Sequence, residues 1–251
     1  MRSAWKSDRG LVRENNEDCV LADDAKGIFL LADGMGGGPG GEVASSLAAN
    51  TAYVALKKIL PDYGAQLDDL PWLLANVLAA VHSVILKRTL AEPALAGMGT
   101  TLDMVVLREG KIFICHVGDS RVYLFQRGGL RQITSDDNYA AMLAASGKVP
   151  PEQIPESYRH ILTQVVGISD ELVPEFHTLE SQPEELILMC SDGLNAALSD
   201  REIGAIIAAR RGDLDAIPLA LVAAANEKGG PDNVSVVIIE PLKRYPLLLM
   251  M

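Results

Sequence analysis

The sequence predicts an α+β fold in which helices cover antiparallel β-sheets. Short apolar runs of strand length are separated by turns that contain glycine, and longer segments with helical periodicity interrupt them. The predicted order is strands, two helices, many strands, two helices and a last strand. No internal repeat, low-complexity region or linker divides the 251 residues, so 1–251 is expected to be one domain, with only 136–170 as a separable sub-element.

The N-terminal part of the chain predicts a β-hairpin. An edge strand is expected at 3–7, and the two hairpin strands are expected at 19–22 and 28–32. Asp18 precedes the first hairpin strand and Asp33 follows the second. Because paired strands of a hairpin are antiparallel, both carboxylates should lie at the same end of it.

The stretch after this hairpin predicts a ligand site. Six of the eight residues that follow Asp33 are glycine. Glycine allows the backbone to approach a ligand closely, and the carboxylate supplies negative charge for a cation. Linkers rarely begin at the end of a buried strand, so the pattern favours a metal or phosphate site over a flexible linker.

Two helices are expected next, at 42–60 and 67–90. In the first helix Val43, Leu47 and Val54 share one face, with Ala44, Ala48 and Ala55 beside it. This apolar arc covers more than half of the circumference, so the helix is expected to be largely buried. The second helix carries an apolar face made of Leu70, Leu74, Val77, Leu78, Val81 and Ile85.

After Gly97 the periodicity changes to that of strands. Four consecutive strands are expected to form an antiparallel meander, at 100–107, 111–117, 121–126 and 130–133. The remaining expected elements are a short helix at 136–146, an irregular excursion at 147–160, weaker strands at 161–166 and 172–179, a strand at 185–190, helices at 200–210 and 213–227, and a strand at 233–240.

Five aspartates occupy the same position relative to these strands. Each lies at a strand end beside glycine or a small polar residue: Asp18, Asp33, Asp119, Asp192 and Asp232. Strands that arrive at one rim of an antiparallel sheet and strands that leave it share that rim, so the five carboxylates can converge there. One such aspartate would be read as a turn residue, but five of them are repulsive unless a cation neutralises them.

The type of donor indicates the type of cation. The donors are carboxylates, glycine carbonyls and water, which suit Mg²⁺ or Mn²⁺ and not structural zinc. His116 is near Asp119, but it alternates with Cys115 on a predicted strand, so a core or supporting role is expected. His82 has no second ligand at helical spacing and is expected to be a helix histidine with its hydrogen bonds satisfied.

A pair of hard cations suits the hydrolysis of a phosphoester. Arg13 is the candidate for binding the phosphate, because it lies just upstream of Glu17 and Asp18. A guanidinium fork matches phosphate oxygens better than an ammonium group does. Without those neighbours, a surface salt bridge would be the default interpretation of Arg13.

Composition excludes other classes. The net charge of −11 argues against a nucleic-acid binder, and the three cysteines without a C-x-x-C pattern are expected to be inert thiols in the reducing cytoplasm. The first nine residues lack the apolar core of a signal peptide, and no apolar run has the length of a membrane span. The short apolar ending at 246–251 is expected to be a packed or frayed terminus.

Seven segments together resemble the metal-dependent Ser/Thr protein phosphatase family, type 2C, in its bacterial form. They occur in the family's order and span nearly the whole chain. They are S-D-R-G-L-V-R-E-N-N-E-D (7–18), L-A-D-G-M-G-G (31–37), G-E-V-A-S (41–45), G-M-G-T-T-L (97–102), H-V-G-D-S-R (116–121), C-S-D-G-L (190–194) and G-G-P-D-N-V-S-V-V (229–237).

The resemblance implies a four-layer α-β-β-α sandwich, in which two antiparallel sheets are flanked by helices. It also implies two core Mn²⁺ or Mg²⁺ ions, with a weaker third, and assigns the residues as follows. Asp33 bridges the two core metals, and the Gly34 carbonyl helps to bind one of them. Asp192 and Asp232 complete the first metal, Glu17 and Asp18 serve the second directly or through water, and Asp119 and Asp192 hold the third. Arg13 binds the substrate phosphate, and 136–170 is the flap beside the site.

The sequence departs from the family pattern at two points. Some members have a histidine after the D-G pair that can protonate the leaving alkoxide, and this chain has Met35 there, as bacterial members commonly do. A histidine acid at that position is therefore excluded, and metal-bound water is the expected proton donor. The flap segment 134–138 also lacks a histidine that many relatives carry, which indicates altered flap contacts and not lost activity.

Three functions remain open at this point. The chain is expected to be a monomeric phosphatase for phosphoserine and phosphothreonine that opposes a cytoplasmic Ser/Thr kinase. A phosphatase with the same mechanism that acts on one regulatory partner is not separated from this by the sequence. The alternative is a pseudophosphatase, a regulatory module that binds partners without turnover, and its signature would be loss of a metal-binding aspartate.

Overall fold

The computed structural model describes residues 1–35, 40–63 and 67–241. The part of the glycine-rich loop at 36–39 and the apolar ending at 246–251 lie outside the described residues. In chain order the elements are β1 (Arg2–Asp8), β2 (Asp18–Asp23), β3 (Ile28–Met35), α1 (Gly40–Ile59), α2 (Leu70–Ala91), β4 (Gly99–Thr100), β5 (Leu102–Arg108), β6 (Lys111–Val117), β7 (Arg121–Gln126), β8 (Gly129–Gln132), α3 (Tyr139–Ser146), β9 (Glu175–Glu180), β10 (Leu186–Cys190), α4 (Asp192–Ala197), α5 (Asp200–Ala209), α6 (Ala216–Glu227) and β11 (Val234–Glu240).

Two antiparallel sheets form the centre of the described structure. The first has the strand order β1-β11-β10-β7-β8, and the second has the order β2-β3-β5-β6-β9, with the short β4 pairing with β3. Helices α1 and α2 pack on the outer face of the second sheet, and α5 and α6 pack on that of the first. This is the predicted α+β arrangement of two sheets flanked by helices.

The alternating side chains of β3 show how one strand serves two cores. Ile28, Leu30 and Ala32 belong to the apolar cluster beneath α1 and α2. Phe29 and Leu31 belong to the cluster between the two sheets. Because successive side chains of a strand point to opposite faces, a continuous apolar run is what a strand buried on both sides requires.

The predicted meander is wrong. Strands β5 and β6 pair with each other, and β7 pairs with β8, but the two hairpins belong to different sheets. The chain crosses between the sheets at 118–120, where Gly118 has a φ of 120° and a β-carbon would collide with the side chain of Thr101. Hydrophobic alternation identifies strands, but it does not identify the sheet that the next strand joins.

The buried face of α1 follows the prediction in part, because Ala44 and Ala48 are buried and Val43 and Leu47 pack against the core. Val54 is 63% exposed, and the face that meets the sheet consists of alanines and Leu56: Ala44, Ala48, Ala49, Ala52 and Leu56. Val54 lies two residues from both Ala52 and Leu56, about 200° around the helix from each, so it points away from this face. The weak strand expected at 161–166 is reduced to isolated bridges. Helix α4 was not predicted, because a helix of six residues is too short to show helical periodicity.

Helix α2 has the apolar face that the sequence predicts. All six of its predicted core residues are buried. Among the described residues, 67–91 is the one helical stretch long and apolar enough to cross a membrane by length and composition. Its apolar face packs in the core beneath the second sheet, as expected of an internal helix. His82 on this helix accepts a hydrogen bond from the backbone N–H of Gly167 at 2.9 Å, which agrees with its predicted satisfied state.

A buried ion pair joins the neighbouring strands β5 and β6. Asp103 and His116 are cross-strand partners, and Asp103 Oδ1 lies 2.6 Å from His116 Nδ1 with both side chains fully buried. The other ring nitrogen lies 3.0 Å from the carbonyl oxygen of Ser135. Burial lowers the pKa of His116, but the Asp103 carboxylate outweighs burial and raises that pKa to about 9. His116 therefore has the core role predicted for it.

This pair should stabilise the fold in a pH-dependent manner. The folded pKa of His116 lies above its usual value of 6.5, so its contribution should be complete below that value and lost as the pH rises through about 9. Removing one partner of a buried pair costs about 3–5 kcal/mol. We expect Asp103→Asn to lower the midpoint temperature of thermal unfolding strongly near pH 6. The difference in midpoint between this variant and the wild type should become smaller by about pH 9.5.

The control for this prediction is Glu180→Gln, which removes a surface pair with Lys111 on the same sheet. That variant should shift the midpoint little at any pH, because exposed pairs contribute about 0–1 kcal/mol. All scans are made in one chelator-containing buffer series. A gap between Asp103→Asn and the wild type that is constant with pH would contradict the charged state of His116.

Candidate active site

An acidic cleft of about 380 Å³ opens where several strand ends meet. Five acidic residues that the sequence predicts to form a site line this cleft: Glu17, Asp33, Asp119, Asp192 and Asp232. Asp18 completes the set, because its buried carboxyl is electrostatically coupled to Asp192 and Asp232. The structure therefore brings together all six acidic residues predicted to form a site, although they come from four separate parts of the chain.

The hairpin of β2 and β3 positions the first pair of carboxylates. Asp18 and Asp33 are direct cross-strand partners, which is the common end that the sequence predicted. The backbone of Asp33 is held on its other side, because its N–H donates to Thr101 Oγ1 at 3.0 Å and its carbonyl accepts from Thr101 N–H at 2.9 Å. Asp33 is thus presented to the cleft from a backbone that is fixed on both sides.

Gly34 lies at the closest approach of three chain segments. Its N–H donates to the carbonyl oxygen of Glu17 at 3.1 Å. A β-carbon at this position would collide with the carbonyl oxygen of Gly41. Only glycine fits here, so the requirement for glycine at this point of the A-D-G segment is steric.

Asp18 has an unsatisfied buried oxygen. Its Oδ2 accepts a hydrogen bond from Ser191 Oγ at 2.8 Å, and Ser191 Oγ itself accepts one from the N–H of Ser235 at 2.8 Å. Its Oδ1 is buried and has no hydrogen-bond partner among the described residues. Burial raises the pKa of Asp18 to about 7. A buried carboxylate oxygen without a donor is costly unless a positive charge compensates it.

The pKa values of the neighbouring carboxyl groups are raised for similar reasons. Burial, followed by repulsion from Asp18 and Asp192, raises the pKa of Asp33 well above its usual range. Burial and Asp192 likewise raise the pKa of Asp119, and burial and Asp232 raise that of Asp192 to about 6. Each carboxyl therefore resists ionisation chiefly because its surroundings are dry and its neighbours are acidic.

The donors fit hard cations in charge and in chemical type. They are carboxylate and carbonyl oxygens, which suit Mn²⁺ and Mg²⁺. Within the part of the chain that the structure describes, no three histidine, cysteine, aspartate or glutamate side chains already converge into a closed set of ligands. The carboxylates face a shared cleft from separate strand ends.

Arg13 lies at the edge of this cleft. Its side chain is 55% exposed, and Nη2 donates to Asp232 Oδ2 at 2.7 Å. Arg13 therefore forms a salt bridge, and its partner is an acidic residue of the cleft and not a remote surface group. This location keeps the guanidinium available to an anion that enters the cleft.

Asn233 holds the loop that carries Arg13, and the sequence analysis missed it. Its Oδ1 accepts from the N–H of Glu17 at 2.8 Å, and its Nδ2 donates to the carbonyl oxygens of Arg9 and Asn15 at 2.9 and 2.8 Å. The residue is 5% exposed. The only local signal is its place beside Asp232, because its partners lie more than two hundred residues away.

The segment 136–170 is attached to the strand end that carries Asp119. Arg121 donates two hydrogen bonds of 2.7 Å to the carboxylate of Asp136. The N–H of Gly118 donates to Asp137 Oδ2 at 3.0 Å. From this segment His160 and Leu162 line the cleft, and from β3 so does Met35. No sequence pattern indicated a role for His160, which lies at the end of an irregular stretch without periodicity.

Comparisons with known proteins agree with this geometry. The family model described as Protein phosphatase 2C matches residues 9–215. Serine/threonine protein phosphatase PstP of Mycobacterium tuberculosis is 38% identical over 241 residues, which are 96% of this chain and 45% of that protein. The chain thus spans less than half the length of that curated relative. Serine/threonine phosphatase stp of Listeria monocytogenes is 31% identical over 244 residues, 96% of each chain.

Solved structures extend the agreement to the fold. The crystal structure of the catalytic domain of PstP in complex with two manganese ions superposes with a TM-score of 0.81 at 37% identity, covering 94% of this chain and 96% of that one. The predicted fold class and the family resemblance are both confirmed. On the match of 9–215 and these identities, the chain belongs to the protein phosphatase 2C family.

Proposed function

We propose that the chain is a metal-dependent protein phosphatase that hydrolyses phosphoserine and phosphothreonine. The observation that carries this proposal is a cleft edged by Arg13 and lined by five of the predicted acidic residues, to which the sixth, Asp18 with its orphaned buried oxygen, is electrostatically coupled. Repulsive buried carboxylates suit divalent cations, and an arginine beside them suits a phosphate. Membership of the protein phosphatase 2C family agrees with this chemistry.

We assign the metal-binding roles as part of the same proposal. Two core Mn²⁺ or Mg²⁺ ions and a weaker third would be held by Glu17, Asp18, Asp33, the Gly34 carbonyl, Asp119, Asp192 and Asp232. Asp33 would serve both core ions, and Asp119 would serve only the third, together with Asp192. Bound ions of this type activate a water molecule and neutralise the phosphoryl oxygens.

The chain's own residues would orient the substrate. The Arg13 guanidinium would bind the phosphate oxygens, and Asn233 would hold the Arg13 loop in register with Glu17 through its three hydrogen bonds. Met35 borders the cleft with a side chain that cannot donate a proton. The wall formed by His160 and Leu162 would lie beside the residues that flank the phosphorylated side chain.

The wider biological role follows from the same site. We propose that 1–251 is one catalytic domain with 136–170 as an inserted flap, and that its substrates are phosphoproteins produced by a cognate Ser/Thr kinase. Three free cysteines agree with a reducing cytoplasm, and a net charge of −11 disfavours nucleic acid. We expect a monomer that does not associate with membranes. The pseudophosphatase alternative is disfavoured because every predicted metal-binding acidic residue is present.

Hydrolysis should depend on Mn²⁺ or Mg²⁺. Protein stripped with EDTA should hydrolyse neither 4-nitrophenyl phosphate nor a phosphoserine peptide, and Mn²⁺ should restore both activities. Because the cations relieve carboxylate repulsion, Mn²⁺ at about 100 times its dissociation constant should also stabilise the fold by about 2.7 kcal/mol for each core site in thermal scans. Full activity in excess EDTA, with metal content checked by elemental analysis, would refute the metal mechanism.

Arg13→Ala should weaken phosphate engagement while leaving metal binding intact. Loss of a charged hydrogen bond of about 1.5–3 kcal/mol should lower kcat/KM for a phosphopeptide by about 10- to 100-fold. Arg13→Lys should recover only part of the loss, because an ammonium group lacks the planar fork. The control is Arg2→Ala, which removes a surface pair with Asp215 and should leave the kinetics unchanged. Wild-type kinetics for Arg13→Ala would make it an ordinary surface arginine.

Substitutions of the aspartates should have different effects on metal binding. Asp33→Asn should abolish both core metal binding and activity, whereas Asp119→Ala should keep two tight Mn²⁺ ions, lose a weaker third and reduce turnover severely. If Asp119 were only a turn residue, its removal would lower thermal stability with nearly normal turnover, as we expect for the turn control Asp24→Ala. Calorimetric Mn²⁺ titration and phosphopeptide kinetics on one preparation decide between the two roles.

A further inference from the structure

Three of the four histidines are held by the fold, and the fourth borders the cleft. His82 accepts from a backbone N–H, His116 is buried against Asp103, and His177 Nε2 lies 2.8 Å from Glu175 Oε1. His160 lines the acidic cleft, and among the described residues no hydrogen bond or ion pair engages its exposed imidazole. An imidazole that the fold does not use is available to a ligand.

The backbone beside His160 is well anchored. The carbonyl oxygen of Ile161 accepts from the N–H of Tyr139 at 2.8 Å, and the N–H of Thr163 donates to the carbonyl oxygen of Asp137 at 2.8 Å. Asp137 is in turn bound to the N–H of Gly118, next to Asp119. His160 therefore stands at the root of the flap and not at its tip, on backbone bound to the strand end that carries Asp119.

Further contacts hold the turn that delivers His160. The rings of Tyr139 and Tyr158 meet edge to face with their centroids 5.0 Å apart. The turn at 156–160 thereby packs against the first residue of α3. Because this turn is held by the contacts above, the backbone of His160 keeps its position relative to the cleft. A group that acts on a substrate requires such a fixed position.

Electrostatics locate the imidazole relative to the acidic residues. His160 and Arg13 both oppose the rise in the pKa of Asp192 that burial and Asp232 cause. Two side chains able to carry positive charge thus act on one carboxylate at the cleft. Arg13 comes from the N-terminal loop and His160 from the flap, so a phosphate ester in the cleft would have a cationic group from each.

We propose that His160 protonates the leaving oxygen during hydrolysis of phosphoserine and phosphothreonine, which replaces metal-bound water as the donor inferred from the sequence. The inference rests on the proposed function.

As water adds to phosphorus, the bond from phosphorus to the side-chain oxygen breaks and its electron pair stays on that oxygen. The imidazolium gives its proton to this oxygen, and the proton that the attacking water loses restores the imidazolium. The balance is R–O–PO₃²⁻ + H₂O → R–OH + HPO₄²⁻.

The leaving group provides the test, because nitrophenolate departs without a proton and a serine alkoxide does not. We expect His160→Gln to lower kcat for a phosphoserine peptide on the order of 10²-fold, and to change kcat for 4-nitrophenyl phosphate by less than about twofold. Phenyl phosphate, whose leaving group has intermediate basicity, should show an intermediate loss. His177→Gln, which alters a histidine tied to Glu175, should leave all three rates unchanged.

Other patterns would overturn the proposal. An equal loss on all three substrates would make His160 a phosphate-binding or structural residue, and no loss on any would make it a surface residue. A wild type that hydrolyses none of them with Mn²⁺ would instead contradict the proposed function itself. In Mg²⁺-loaded protein, inorganic phosphate should shift the imidazole signals of His160 in NMR spectra. Signals unmoved at saturating phosphate would remove the histidine from the site.

Discussion

Repulsion among buried carboxylates is the constraint on which the rest of this structure depends. Two unit charges about 5 Å apart repel by roughly 3 kcal/mol at an effective dielectric constant of 20. The raised pKa values of Asp18, Asp33 and Asp119 express this repulsion and the cost of burial. A cluster of this kind persists only if the surrounding fold is stable enough to hold it, and bound divalent cations offset its cost while the carboxylates stay ionised.

The double sheet provides that stability. Its three apolar layers lie beneath α1 and α2, between the sheets, and beneath α5 and α6, and each carboxylate stands at a strand end at the edge of this packing. Asp18 and Asp33 come from the second sheet, and Asp192 and Asp232 flank strands of the first. The site therefore exists only when the two sheets are packed, which couples metal binding to the tertiary fold and not to one local motif.

Strand ends were predictable from the sequence because their determinants are local. Apolar runs, glycine turns and the antiparallel pairing of a hairpin are sufficient to locate Asp18 opposite Asp33. What the sequence did not indicate depends on partners far apart in the chain. The crossing between sheets at 118–120 needs Gly118 against Thr101, and Asn233 acts on residues near the N-terminus.

Hydrogen bonds between residues distant in sequence also connect the segment 136–170, which lines one side of the cleft, to the strand end that carries Asp119. Asp136 and Asp137 bind Arg121 and Gly118, which lie on either side of Asp119 and Ser120. The backbone on either side of Asp119 is therefore bound to the first residues of the segment 136–170. Through these bonds we expect substrate contacts on the segment 136–170 and occupancy of the proposed weaker metal position at Asp119 to depend on each other, because equilibrium coupling is reciprocal. The coupling follows from two short hydrogen-bonded links and needs no large movement of the sheets.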